Sequence, residues 1–236
     1  MGKINGLHHI AIATGDMKAQ LQFFSDVLGM RLQGLYWMHG VKGAWHAFME
    51  MGEAQFAFAF VPGNENIDIE YGVTHAGSGA GNSAPGSMQH IAFNVDTPED
   101  LLAMRDRIRS RGVNVFGPLE HGLCKSIYFG GPEGLALEVA TSSGATAPLD
   151  NDGTWIDRDV QEVAGITDEE LAALMHPADY EVKGGAVKQP SYDPDKPHNQ
   201  YPKEIYEAML AAPDEAITGA SKKWADPPEN NIVNKS

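Results

Sequence analysis

The sequence predicts an α+β fold made of two copies of a strand, a helix and three strands, followed by an irregular, partly helical acidic extension. Three observations carry that expectation. The tripeptide His-Ile-Ala occurs at His9–Ala11 and again at His90–Ala92, each time inside an apolar run. Each copy then leads into a helix start signal and three strand-like stretches, the order expected of a tandem duplication. Beyond Ser143 the composition changes: residues 145–236 hold 18 Asp or Glu against 8 Lys or Arg, and Pro and charge dominate.

The first copy, residues 5–62, opens with a half-buried strand over Leu7–Thr14. Asp16 is the expected N-cap of a helix, Leu21, Phe24 and Leu28 recur at helical spacing, and Gly29 supplies the stop. Strands are expected near Arg31–Trp37, Ala44–Met51 and Gln55–Val61, parted by Gly40, Gly43 and Gly52. Residues 63–87, rich in Gly, Asn and Ser, read as a long mobile connection. The second copy, residues 88–143, starts with a strand over Gln89–Val95. Thr97 then caps a helix with Pro98 in its first position and Leu101, Met104 and Ile108 on its buried stripe. Strands follow over Val113–Phe116, Cys124–Phe129 and Leu135–Ala140, the last two joined by Gly130–Gly134.

In the extension, residues 144–236, Thr167–Glu170 is a capping box for a helix through Met175, and Pro202 starts another through Ala211. Such a segment buries too little apolar surface to fold alone. Its aromatics, Trp155, Tyr180, Tyr192, Tyr201 and Trp224, favour wrapping over the core or over a partner subunit.

A formal charge of −15 argues against nucleic acid or an anionic membrane surface as partner, because both require a basic face. A single cysteine, Cys124, excludes an internal disulfide and a cysteine-built zinc site. With no apolar signal core and no run of about 18 apolar residues, the sequence reads as cytoplasmic.

The chemistry lies in the repeat. His9 and His90 occupy equivalent first strands, and Glu138 stands in the apolar run Leu135–Ala140, where a lone acid otherwise has little reason to be. Two imidazoles and one carboxylate suit a divalent metal and leave coordination positions for substrate, water or oxygen. The corresponding last strand of the first copy has no second acid, so three protein ligands are expected, with Gln55 a weak fourth. Strand alternation turns His8 to the other face from His9. Trp45, Phe48, Phe56, Phe58, Phe60 and Phe93 are shared between core packing and an apolar lining that suits a small aromatic substrate.

The runs Leu7–Thr14 and Phe23–Met30, then His121-Gly122 and Lys125–Phe129 through Gly131–Gly134 to Glu138, resemble the vicinal oxygen chelate superfamily of glyoxalase I, bleomycin-resistance proteins and extradiol ring-cleaving dioxygenases. The resemblance covers residues 5–143. It implies paired βαβββ modules forming a cup with His9, His90 and Glu138 at its floor, and a homodimer. Glyoxalase I uses four protein ligands, whereas extradiol dioxygenases use two histidines and one glutamate on Fe(II). By that count the chain looks like a non-haem Fe(II) dioxygenase acting on a catechol-like substrate, with Tyr128 matching a tyrosine kept beside the substrate hydroxyl. Where those enzymes carry a further histidine this chain has Gln55–Phe58, and His46 or His121 takes the acid-base part. The alternatives are a glyoxalase-like lyase, isomerase or hydrolase using Zn, Mn or Ni, and a metal-free binder of hydrophobic ligands.

Overall fold

The computed structural model describes residues 4–38, 40–179, 187–216 and 227. The first module comprises β1 (His9–Ala13), α1 (Met17–Asp26), β2 (Leu32–Trp37), β3 (Trp45–Met51) and β4 (Ala54–Phe60). The second comprises β5 (Ile91–Asn94), α2 (Pro98–Ser110), β6 (Phe116–Glu120), β7 (Lys125–Gly130) and β8 (Ala136–Thr141). Each makes its own four-stranded sheet, ordered β1-β4-β3-β2 and β5-β8-β7-β6. In both, the first strand runs parallel to the fourth and the third antiparallel to it.

Both helices start where side-chain caps satisfy their orphan backbone donors. The Ala19 amide donates to Asp16 Oδ1 at 3.0 Å and the Asp100 amide to Thr97 Oγ1 at 3.1 Å. Strand alternation then divides each sheet into two faces. In the first, Ile10, Ile12, Met49, Phe56 and Phe58 join α1 in the core, while His9, Ala11 and Ala13 are exposed on the other face. In the second, Ile91, Phe93, Ile127, Leu137 and Val139 point to the core beside Leu101 and Ile108 of α2, while Ala92 and Asn94 are exposed. One core serves both modules: Phe24 of α1 packs 4.8 Å from Phe56, 4.9 Å from Phe58 and 6.3 Å from Phe93, ring centre to ring centre. Burying each such ring contributes about 2–3 kcal/mol.

The second module holds α1 at both ends. Glu133, in the turn between β7 and β8, accepts hydrogen bonds from Thr14 Oγ1 at 2.5 Å, Gln20 Nε2 at 2.7 Å and the amides of Gly15 and Asp16 at 2.7 and 3.1 Å. At the other end, Arg107 donates to the carbonyls of Val27 and Asp26, and Arg111 pairs with the Asp26 carboxylate. An acid at the helix N-terminus and bases at its C-terminus are the arrangement its dipole favours.

Two sequence expectations change. The strand expected over Val113–Phe116 runs over Phe116–Glu120 instead, through Gly117-Pro118. Proline is tolerated there because β6 is the edge of its sheet and there is no outer neighbour to receive an amide. The connection between modules is not a bare tether. Asn64–Asn66 is a 3-10 turn, the Gly72 amide donates to His75 O and the Ala84 amide to Val73 O.

The chain divides into two compact units. Both sheets and the chain as far as Ala178 lie in one, from which Trp37–Lys42 is excepted; the other gathers those residues, the N-terminal residues and the chain from Asp179 onward. The first unit includes helices α3 (Arg158–Val163) and α4 (Asp168–Met175), the latter with the full capping box of Thr167 and Glu170. There the extension reaches the second module, with the Ala147 amide donating to Gly122 O and the Trp155 ring lying against Gly122. In the second unit, α5 (Lys203–Ala211) carries Tyr206 into an aromatic cluster with Tyr192, His198 and Tyr201. Tyr180 and Trp224 lie outside the described residues. Among the described residues no helix is long and apolar enough to cross a membrane.

Candidate metal centre

The parallel pairing of β5 with β8 sets Ala92 opposite Glu138, which brings the His90 ring, one residue before the strand, to the same face. His90 Nε2 lies 3.0 Å from Glu138 Oε2, and the Glu138 side chain is 7% exposed against 30% for His90. A carboxyl group so deeply buried needs a polar partner, and the His90 ring is the side chain set against it. Imidazole nitrogen and carboxylate oxygen are donors suited to a borderline divalent cation, and here two of them converge on one spot. His90 Nδ1 faces Gln89 Oε1 at 2.8 Å, which fixes the ring orientation and leaves Nε2 toward the acid.

Tyr128 sits directly across β7 from Glu138. Burial pushes its phenol above the usual tyrosine range; a hydrogen bond to Ser126 lowers it, and the Glu138 charge raises it further. The phenol therefore keeps its proton at neutral pH. His121 Nε2 lies 2.9 Å from Tyr128 Oη. Four of the residues expected at the site, His90, Glu138, Tyr128 and His121, thus stand together on the second module.

The other two lie on the first. His9 Nδ1 is 2.8 Å from His8 Nδ1, and its ring meets Phe48 edge-on at 5.7 Å. His46 lies against Phe48 and Tyr36, which stack on each other with ring centres 5.9 Å apart. His8 and His9 are not turned to opposite sides, because His8 precedes the first residue of β1, where strand alternation no longer applies. Among the described residues no three His, Cys, Asp or Glu side chains form one metal-holding group, so His9 is not gathered with His90 and Glu138.

Register corrects the place of a fourth ligand. Glu138 pairs with Ala92, two residues beyond His90; the matching residue two beyond His9 is Ala11, which pairs with Ala57. The first-module counterpart of Glu138 is therefore Ala57, and Gln55 stands two residues before it, opposite His9 itself. The same matching pairs Phe48 with Tyr128, since each lies across from Ala57 or Glu138.

Sequence reasoning missed the part played by the inter-module segment. A Cβ built on Gly79 would lie 3.6 Å from Tyr128 Cε1 and 4.0 Å from His90 Nδ1. Gly77–Ala80 borders a cavity of about 530 Å³ whose walls include His90, His121, Tyr128, Phe116 and Leu119. The run of alternate glycines at 77, 79 and 81 was the available signal.

The chain is similar in sequence to known proteins over the span of the two modules. A probable lactoylglutathione lyase from Synechocystis sp. is 28% identical over 141 residues, 58% of this chain and 95% of the relative. The lactoylglutathione lyase of Pseudomonas aeruginosa is 29% identical over 154 residues, 58% of this chain and 82% of the relative. Biphenyl-2,3-diol 1,2-dioxygenase 2 of Rhodococcus globerulus is 31% identical over 65 residues, 28% of this chain but only 34% of that enzyme. The family model for these proteins matches residues 6–139, spanning both modules, and the chain belongs to the Glyoxalase/Bleomycin resistance protein/Dioxygenase superfamily.

Proposed function

We propose that the chain is a divalent-metal-dependent enzyme acting on a small molecule with adjacent oxygens, and that its reaction is of the lyase or isomerase kind. The observation that carries this reading is the buried Glu138 carboxylate 3.0 Å from His90 Nε2, with the Tyr128–His121 pair beside it. His90 and Glu138 would hold the metal, which when bound acts as a Lewis acid on a substrate oxygen. Tyr128 supplies a phenol proton. With the proton of His121 on Nε2, that imidazole donates to the phenol oxygen and frees the phenol hydrogen for a substrate oxygen. The matches to lactoylglutathione lyases over most of their length support a proton-shifting reaction over an oxidative one.

His9 is the third proposed ligand. Because the histidine-bearing faces of both sheets point away from the shared core, the reading has His9 supplied by a second copy of the chain, in a homodimer. Calorimetric titration with Mn²⁺ or Zn²⁺ tests it. Wild type is expected to bind metal, and His90→Ala, Glu138→Ala and His9→Ala each to lose it. Refolding His9→Ala together with Glu138→Ala should restore one intact site in every mixed dimer. Failure of that mixture, with both parents folded, removes the shared site.

A ring-cleaving Fe(II) dioxygenase is the second reading, favoured by Ala57 where a four-ligand centre would need an acid. Oxygen uptake with catechols on iron-loaded protein supports it; catalysis retained with redox-inert zinc removes it.

A further inference from the structure

The inter-module segment contains three glycines that are glycine for different reasons. Gly77 has φ +74°, in the left-handed region, and a Cβ there would lie 2.8 Å from the Tyr71 ring. A Cβ on Gly81 would come within 1.9 Å of the Ala76 carbonyl oxygen, a backbone atom that cannot step aside. The loop's own shape requires glycine at both. Gly79 is under neither constraint: its φ lies outside the left-handed region, and a Cβ would meet Tyr128 and His90 only at ordinary contact distances. What a side chain at 79 would take is the space over His90 and Tyr128.

The cavity of about 530 Å³ has Phe116, Leu119, Phe129 and Leu137 in its walls and His90, His121 and Tyr128 as its polar end. The cavity's own lining residues include no Lys or Arg to meet a carboxylate and no Asp or Glu to meet an ammonium, and Glu138 stands behind His90 at its polar end. Burying an unpaired charge there is unfavourable, and the chain's charge of −15 further opposes an anionic ligand.

We infer that Gly77–Ala80 is the specificity wall of this site, that Gly79 is kept bare to admit the substrate's body, and that the substrate is an uncharged molecule with a compact apolar body and oxygens at one end. This rests on the reading of His90 and Glu138 as the metal-holding end. It sets the chain apart from the lactoylglutathione lyases it is similar to, since glutathione carries carboxylates and the lining of this cavity has no Lys or Arg to receive them away from the metal-holding end.

The test is calorimetric binding of catechol, uncharged at neutral pH, and of S-lactoylglutathione to zinc-loaded full-length protein, wild type and Gly79→Ala, Gly79→Val and Gly79→Leu. Catechol is expected to bind wild type and to weaken stepwise, about 3-fold for Gly79→Ala and at least about 10-fold for Gly79→Leu, with zinc affinity and thermal midpoint unchanged. S-lactoylglutathione is expected not to compete. Should Gly79→Leu fail to fold, Gly79→Ala carries the test, because its Cβ meets only ordinary contacts. Catechol binding that is absent in wild type or indifferent to residue 79 overturns the inference, as does tighter binding of the thioester. If zinc fails to bind wild type while catechol still responds to residue 79, the metal reading falls and the specificity wall stands.

Discussion

At register-matched positions the two modules share the His-Ile-Ala run of their first strands and differ in what faces it across the sheet. Both place a histidine where the first strand begins, His9 as the first residue of β1 and His90 just before β5. Across the sheet the second module has Glu138 and Tyr128, where the first has Ala57 and Phe48. The second face is thus a polar end with the Glu138 side chain only 7% exposed. The first is aromatic, with Tyr36 stacked on Phe48 and the rings of His9 and His46 edge-on to it. Duplication supplies two equivalent frames. One carries the buried acid and the phenol, the other an aromatic stack.

The largest effect expected from that difference is on metal binding. Glu138→Ala should weaken Mn²⁺ or Zn²⁺ affinity by at least about 100-fold, since even residues that merely support a ligand are worth 10–100-fold. The mirror substitution sharpens the comparison. Ala57 is 1% exposed, so Ala57→Glu buries a carboxylate beside Phe48 and should cost about 3 kcal/mol, read as a fall in denaturation midpoint. Tighter metal binding by Ala57→Glu, with the midpoint unchanged, would show that the first frame still has room for a ligand.

Next in size is the asymmetry of the turns. Glu133 has no counterpart in the first module, whose β3–β4 connection is the short turn at Gly52-Glu53, with Glu53 exposed. Burial alone would push the Glu133 carboxyl up, but hydrogen bonds from Thr14, Gln20, Gly15 and Asp16 outweigh it and hold it below the usual range. With the folded value depressed, its contribution is present above the ordinary glutamate value of about 4.3 and is lost as pH falls through the lower folded value. Glu133→Ala should cost about 2 kcal/mol at neutral pH, and the gap to wild type should close as the solution is acidified. A gap that persists unchanged in acid would assign the effect to packing.

A smaller change is expected from the tyrosine–phenylalanine pair. Tyr128→Phe removes one hydroxyl and its bond to His121, and should weaken catechol binding about 10-fold, equivalent to about 1.4 kcal/mol. Phe48→Tyr should leave binding within about twofold. Equal responses from both would mean that the first face contributes polar contacts after all.

The modules were legible because each of their signals is local. The cap at Asp16, the Thr97-Pro98 start and the paired His-Ile-Ala all act over a few residues and appear in the structure where they were expected. Register was not legible, since the pairing of Ala11 with Ala57 is set by the β1–β4 ladder over a separation that no local pattern encodes; Gln55 was therefore expected where Ala57 stands. The same holds for Glu133, which reads in sequence as an ordinary turn acid and acts as a cap on a helix far back in the chain. Edge position explains the shifted β6, because Pro118 reads as a strand breaker until the topology removes the neighbour it would fail to bond.

The smallest expected effect tests whether the first module hides its acid elsewhere. His9, Gln55 and Glu50 form one row across β1, β4 and β3, and directly paired residues project to the same side of a sheet, so Glu50 is the acid of that row. Its carboxylate is already engaged: Arg31 Nε donates to Oε2 at 2.5 Å and Nη2 to Oε1 at 2.8 Å, and the Arg31 hydrogen bond holds Glu50 below the usual carboxylate range. The Arg31 side chain is 80% exposed, and an ion pair so open to solvent contributes little and is screened by salt. Glu50→Gln should therefore leave metal affinity within about twofold of wild type, and Arg31→Ala should do the same. Loss of metal on Glu50→Gln would make this carboxylate the missing fourth donor, and the first module would then have moved its acid along the strand pair from Ala57 instead of discarding it.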